Sequence, residues 1–416
     1  MGDIKLSSSG GGSVTLTPPS TASNLTLTLP AATSTLLDTT STQTLTNKTL
    51  VASGSNTVEA TSGPTSTQLA GMRNKIINGA MMIDQRNAGA SVSLSNTTAY
   101  TIDRYAVRTG TGTGNTAIRS ATTAAGFLNS LLITIGTGAT PSSGTNSNYI
   151  YQGIEGTNCA DLNWGTANAK TVTLSFWVRS SLTGAFGGAL RNDAGNRSYP
   201  FTYTISAANT FEYKTITVAG DTSGTWVTDS SGSGIQLMFD LGVGSTYLGT
   251  SGSWAGADYR GATGDTQLVA TSGATWYVTG VQLEKGATAT PFENRLYGAE
   301  LALCQRYYEK SFADGTAPYT NGGDAAGSYV MSTTPTSGNS YGCAAIYKVS
   351  KRVSPTITLY NPNAAANNAS WYNSATGITQ GGGVNPSSNA NQFVLVLSGD
   401  TTRTLAVFGW TASAEL

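Results

Sequence analysis

Strict alternation of apolar and polar residues is the feature that most narrows what this chain can fold into. The run TVTLSFWVRS at 171–180 places Val172, Leu174, Phe176 and Val178 on one side and Trp177 and Arg179 on the other, the period of two that a half-buried strand requires. Comparable runs follow at 131–136 (LLITIG), 149–156 (YIYQGIEG), 201–206 (FTYTIS), 211–220 (FEYKTITVAG), 234–244 (GIQLMFDLGVG) and 274–286 (ATWYVTGVQLEKG). YTIDRYAV at 100–107 has the same spacing, and NKIINGAMMIDQRNAG at 74–89 marks where compact material begins. Gly, Asn, Ser and Asp fill the gaps, and no helical window intervenes. Such a series predicts an antiparallel sandwich of jelly-roll type.

One window breaks the pattern. In PFENRLYGAELALCQRYYEK, 291–310, Tyr297, Leu301, Cys304 and Tyr308 recur at helical spacing, with Leu296, Ala299, Leu303 and Tyr307 on an adjoining stripe. Pro291 precedes the first periodic residue, and Glu293 lies where the macrodipole favours an anion. Gly298 costs roughly 1 kcal/mol against Ala, and the helix is short, so it must dock on something. Its wide apolar face predicts a joint, built from Tyr297, Leu301, Cys304 and Tyr308, with one stripe on its own domain and the other toward neighbouring chains.

The flanks differ in composition. Residues 1–71 are Ser/Thr/Gly-rich, with short alternating runs SVTLT (13–17) and NLTLTLP (24–30), each offering too few apolar side chains to offset ordering entropy alone. An intertwined multi-chain stalk satisfies them; a flexible linker is the other reading. Residues 313–416 alternate again at 342–350, 355–360, 393–399 and 404–410, with long intervening loops at 361–377 and 379–392. The expected fold is mainly β: an extended N-terminal stalk (1–71), a central antiparallel jelly-roll sandwich (72–292), one short connecting helix (293–312) and a small C-terminal β domain (313–416).

Composition removes function classes. The chain has 416 residues, formal net charge +0 and 11% charged residues, where about 25% is usual. Histidine is absent, which deletes the commonest general base and metal ligand. Cys159, Cys304 and Cys343 lie far apart with no CxxC and read as small buried hydrophobes. Net neutrality without a basic run argues against nucleic acid. No window approaches 18 apolar residues and the start lacks a signal peptide, so no membrane insertion is expected, and synthesis is placed in a host cytoplasm. Met1-Gly2 fails as a myristoylation signal because Leu6 stands where Ser or Thr is needed.

Several segments in order resemble a bacteriophage tail fibre family. They are NKIINGAMMIDQR, YTIDRY, TVTLSFWVRS, WYVTGVQLEKGATATPFENR and YGAELALCQRYY, spanning roughly 73–310, together with TLTNKTL at 44–50, which is similar to a repeat of fibre shafts. The resemblance implies a jelly-roll like that of carbohydrate-binding modules, a homotrimer, and a place in the virion tail. There the N-terminal region would meet other tail or baseplate proteins, and the C-terminal tip would adsorb to a host surface glycan or porin. Receptor contacts vary within that family, so no residue is carried over from it.

Sugars present an apolar C–H face and many hydroxyls, so a glycan site needs an aromatic plate beside hydrogen-bonding groups. Trp371 and Tyr372, flanked by Asn367, Asn368 and Asn373, have that chemistry, as does Trp254 with Asp258, Tyr259 and Arg260. Trp164, Trp177, Trp276 and Trp410 lie in or beside strand runs and read as core or interface. Carboxylates at Asp84, Asp103, Glu155, Asp161, Asp193, Asp240 and Glu284 are available for hydrolysis, yet nothing pairs any two of them. Oxygen-rich loops at Asn192, Asp193 and Asn196, or Asp258 with Asp265, could gather calcium, but ordinary turns explain them, so no metal and no cofactor are expected. The function expected is multivalent adsorption without catalysis. A head fibre or baseplate connector without receptor binding, and a polysaccharide-depolymerising tailspike, are the alternatives.

Overall fold

The computed structural model describes residues 4–7, 13–16, 72–319, 329–332, 341–361, 370–373, 378–381, 385–397 and 405–416. The chain forms two compact units, Met1–Gly63 and Pro64–Leu416. In the first, β1 (Ile4–Ser7) and β2 (Ser13–Leu16) pair antiparallel, with Leu6 opposite Val14. The runs at 24–30 and 42–50 lie outside the described residues.

The second unit opens with strands β3 (Val92–Ser93), β4 (Ala99–Ile102), β5 (Tyr105–Thr109), β6 (Thr116–Ser120), β7 (Ser130–Thr134) and β8 (Asn148–Glu155). It continues with β9 (Val172–Ser180), β10 (Gly184–Arg191), β11 (Ser198–Ile205), β12 (Glu212–Val218) and β13 (Ser233–Asp240), a short parallel pair β14 (Leu248–Gly249) and β15 (Gly261–Ala262), and β16 (Thr275–Lys285). They build a sandwich of two six-stranded antiparallel sheets, β11-β10-β13-β8-β5-β4 and β12-β9-β16-β7-β6-β3. The chain passes repeatedly from one sheet to the other, as a jelly-roll requires.

Parity decides the core. Val172, Leu174, Phe176 and Val178 of β9 are fully buried, whereas Trp177 and Arg179 are half-buried on the outer face. Phe176 meets Tyr203 and Phe239 edge-on at 5.0 and 5.1 Å, and Trp276 Nε1 donates to the Tyr203 hydroxyl at 3.2 Å. Each such ring contributes roughly 1.5–3 kcal/mol through burial. Strand β10, GAFGGALR, is missing from the sequence expectation because its glycines mask it. A Cβ on Gly188 would sit 2.5 Å from the Phe201 ring, so the neighbouring strand's aromatic occupies the space a side chain would need.

Two stretches that looked like strands differ. The run at 100–107 is a hairpin: Asp103 and Arg104 turn between β4 and β5, with Arg104 left-handed at φ 72°. The segment 74–86 has no regular structure. Its backbone is satisfied by buried side chains: the Gln152 amide accepts from Ile77 N and donates to Ile77 O, both at 2.9 Å, and Asn74 and Asn78 bond neighbouring backbone.

Helix α1 (Tyr297–Gln305) is shorter than the expected 293–312. Tyr308 belongs instead to β17 (Tyr308–Lys310), because its backbone pairs with residues near the end of the chain. Glu293 does not cap the helix; its carboxylate accepts from Met72 N and Asn74 N at 2.6 Å and grips the incoming segment. Cys304 and Tyr307 are fully buried with Ile77 and Ile83, and Leu301 and Leu303 pack partly against them. Leu296, by contrast, is 84% exposed.

Beyond β17 come β18 (Tyr329–Ser332), β19 (Tyr341–Ile346), β20 (Thr356–Tyr360), β21 (Ser370–Asn373), β22 (Ile378–Gly381), β23 (Asn385–Ser388), β24 (Gln392–Leu397) and β25 (Leu405–Ser413). The expected loops at 361–377 and 379–392 thus contain β21, β22 and β23. Strand β25 is the hub, pairing with β17 and β20 along its second half and with β18 and β21 along its first. Tyr347, Phe393 and Trp410 form a second core, with Phe393 5.3 Å from Trp410.

Side chains tie this part to the sandwich. Arg306 and the Tyr307 hydroxyl both donate to Glu155, at 2.6–2.9 Å. Arg86 and Arg104 both pair with Glu415, and their guanidinium groups lie 3.7 and 3.6 Å over the rings of Tyr308 and Tyr307. Burial opposes charge on Glu155, but the bonds from Arg306 and Tyr307 outweigh it and hold its carboxyl below the usual range.

Candidate functional site

The outer face of the second sheet carries aromatics on strands whose opposite face is core. Tyr213 of β12 stands opposite Trp177 of β9, their ring centroids 5.3 Å apart and tilted at 47°. Two residues along β9, Arg179 faces Tyr277 of β16, which in turn faces Leu132 of β7. The Arg179 guanidinium lies 4.9 Å from the Tyr277 centroid and 5.9 Å from that of Phe211, and the two rings are 6.0 Å apart. Strand spacing of about 4.8 Å makes this a stripe roughly 15 Å across.

The chemistry of the stripe is specific. Tyr213 is 43% exposed, and Trp177, Phe211, Tyr277 and Arg179 are half-buried, so ring faces are open at the edges. Arg179 Nε is buried without a hydrogen-bond partner among the described residues, while Thr215 and Thr217 extend exposed hydroxyl-bearing side chains along β12. Flat apolar plates, one cation and hydroxyls suit a ligand that has both C–H faces and oxygen groups.

Of the candidates singled out in the sequence, Trp254 and Tyr259 lie away from the stripe. Trp254 is the third ring of a cluster with Trp164 and Trp226, at 5.2 and 5.4 Å, and its Nε1 donates to Ala219 O at 2.8 Å. It fastens its loop to the core. The Tyr259 ring fills the space over Gly249. Asp258 is clamped between Arg191 and Arg260, and Arg260 stacks 3.7 Å over Tyr247. Burial opposes the Asp258 charge, yet both arginines hold its carboxyl below the usual range. Asn368 lies outside the described residues; Trp371, Tyr372 and Asn373 lie in β21, paired with β22, with only their backbone described. Of the joint residues, Cys304 and Tyr308 are buried, Leu301 is half-buried and Tyr297 is 48% exposed.

The carboxylates have local partners. Asp84 accepts from Asn87 N and Gly89 N, Asp161 pairs with Lys75 and Lys285, Asp193 accepts from Gln236, and Glu284 accepts from Thr290. Asp265 lies not with Asp258 but against Asp240, which is 1% exposed; the Asp240 carboxylate sits beneath Gly261 and that of Asp265 beneath Gly187. No sugar fits between those two groups. Asn192 closes a turn, its Oδ1 accepting from Asn196 N and Arg197 N at 3.0 Å. Among the described residues no three acidic or cysteine side chains gather as a metal site, and no helix is long and apolar enough to cross a membrane.

Sequence reasoning placed Trp177 on the correct face but read it as core or interface, and did not single out Phe211, Tyr213 or Tyr277. The signal was an aromatic at the outward parity of an alternating strand. What joined those residues was register, which a single sequence does not contain.

No protein-family model matches the chain, and no curated protein matches it. Among solved structures it is similar to the enzymatically active domain of tailspike protein 4 of bacteriophage CBA120, with TM-score 0.27 and 13% identity over 51% of this chain and 22% of that one. It is also similar to a family 11 carbohydrate-binding module from Clostridium thermocellum, with TM-score 0.24 and 10% identity over 48% and 98%. A xylan-binding domain from Paenibacillus barcinonensis gives TM-score 0.22 and 12% identity over 49% and 99%. The chain thus spans about a fifth of the tailspike chain's length.

Proposed function

We propose that this protein is a non-catalytic fibre component of a phage virion that adsorbs to host-surface glycan through the outer face of the second sheet. The observation that carries the reading is the stripe of Trp177, Tyr213, Phe211 and Tyr277 around Arg179, open to solvent on a rigid sheet. The fibre assignment draws on the ordered segments at 73–310 that resemble tail fibres. The structure gives those segments physical roles: Glu293 and the Asn74 region grip one another, and Arg306 and Tyr307 seal the helix to β8.

A single stripe of this size binds weakly. Three linked copies in a homotrimer, anchored through the N-terminal region, convert weak contacts into durable attachment by effective concentration. A strand-borne site also keeps its geometry without ordering a loop, so little entropy opposes each contact.

Competition of phage adsorption by purified protein tests the reading. Trp177→Ala combined with Tyr213→Ala should reduce competition by about tenfold or more, the equivalent of about 1.4 kcal/mol, while leaving the melting profile cooperative. Undiminished competition would refute the assignment of the site. Release of reducing ends from host polysaccharide would refute the non-catalytic role.

A further inference from the structure

A cavity of about 140 Å³ opens where four parts of the second unit meet: the 82–85 segment, Arg119 of β6, Tyr297 at the start of α1, and the turn at Asp314 and Gly315. At about 30 Å³ per water it has room for roughly four or five waters, or for one compact ring. Two other cavities, below Trp164 and beside Glu293, measure about 10 and 20 Å³.

Its walls are fixed from behind. Lys310 Nζ donates to Gln85 O at 2.7 Å and to Thr316 O at 2.6 Å, tying the 82–85 segment to the turn. Gln85 Nε2 donates to Asp103 Oδ2 at 3.1 Å and to Tyr308 O at 3.0 Å. Both partners are acceptors, so the amide can have only this orientation. Gln85 is 3% exposed, and its Oε1 is buried with no donor among the described residues. That acceptor has no surface on the cavity, so the polar groups the cavity itself offers are the Asp84 and Asp314 carboxylates and the Arg119 guanidinium.

The rest of the lining narrows the chemistry. Asp84 and Asp314 contribute carboxylates, and Arg119 spends Nη1 on Met82 O at 2.8 Å, keeping other N–H groups available. The half-exposed Tyr297 ring and Met82 form an apolar lip. Two carboxylates disfavour phosphate or sulfate, the guanidinium disfavours a bare divalent cation, and the polar floor disfavours an aliphatic chain. Hydroxyl groups can donate to both carboxylates and accept from Arg119, and the ring's C–H bonds can lie against Tyr297.

We propose that this cavity binds a single polyhydroxylated ring of the size and chemistry of a terminal sugar residue. It shares no residue with the aromatic stripe, so the two sites stand or fall separately.

The full chain, labelled with ¹³C at its six methionine methyls, allows a direct test, because Met82 lines the cavity while Met238 lies beside Tyr149 on the other sheet. The probes are the methyl glycosides of glucose, galactose and N-acetylglucosamine, titrated to about 50 mM, beyond the millimolar range in which a single sugar ring binds. At least one should move the Met82 signal saturably and leave Met238 unmoved. Asp314→Ala and Tyr297→Ala, both at solvent-facing positions, should each weaken that binding about fivefold or more, with unliganded spectra confirming an intact fold. Trp177→Ala should leave it unchanged. The proposal is overturned if no glycoside shifts Met82 saturably, if both cavity variants bind as wild type does, or if Trp177→Ala abolishes the shift. Loss of host adsorption in the stripe variants with Met82 binding retained would leave this site standing.

Discussion

Asp240 and Asp265 show how much a single buried group can impose. Burial raises both carboxyls, Asp240 well above its ordinary value, and each is further set by the other. Asp240 Oδ1 accepts from Gly242 N and Val243 N at 2.6 and 2.7 Å, while its Oδ2 is buried with no donor among the described residues. The pair therefore holds a proton at a pH where unfolded aspartates have lost theirs. Stability from this site is complete below the ordinary value of 3.8 and is lost as pH rises through the raised folded values. Asp265→Asn supplies a permanent donor, so Tm should rise by roughly 2–4 °C at pH 8 and stay level at pH 3.5, as calorimetry can show. An equal loss at both pH values would sink the account. The sequence hid this pair because the partners lie 25 residues apart, Asp240 at the end of β13 and Asp265 beyond β15, and because Gly187, which makes room for the Asp265 carboxylate, looks in sequence like loop. The setting of Trp254 was hidden for a related reason: its polar neighbours are close in sequence, but the two indoles that pack against it come from distant segments.

Elements were legible where apolar residues recur at a period of two, as in β9, β11, β12, β13 and β16; parity separates core from surface in β11, β12 and the second half of β9, whereas β13 and β16 are buried along most of both faces. They were not where backbone is satisfied by side chains, as at 74–86, or where a left-handed residue folds an apparent strand into a hairpin at Arg104. The helix lies between these cases. Its period marks the correct window, but Tyr307 and Tyr308 extend the apparent stripe past Gln305, because a buried strand also wants aromatics. Leu301 packs with the cluster of Ile77, Ile83, Cys304 and Tyr307. Leu301→Asp should thus cost about 2–3 kcal/mol and lower Tm by roughly 5–10 °C, whereas Leu296→Asp, at an exposed site, should leave Tm within about 1 °C. Matching losses in the two variants would show that the helix docks by a face other than the one described.

At the scale of the whole molecule, formal neutrality with 11% charged residues leaves little long-range field, and the stripe holds one charge, Arg179. Adsorption should change less than about twofold between about 50 and 500 mM NaCl, because the contacts are short-ranged and the Debye length at the lower end already approaches 14 Å. A steep decline measured in adsorption-rate assays would assign the binding to charge instead. The clamp formed by Arg86, Arg104 and Glu415 has a mechanical consequence. Arg104 and Glu415 are separated by 311 residues of chain yet touch, and Arg86 reaches the same carboxylate. A pull between the beginning of the sandwich and β25 would run through these ion pairs and the stacked Tyr307 and Tyr308, while the strands in between stay slack. Such a short circuit for force lets the aromatic stripe keep its shape under tension that would shear a sheet loaded end to end.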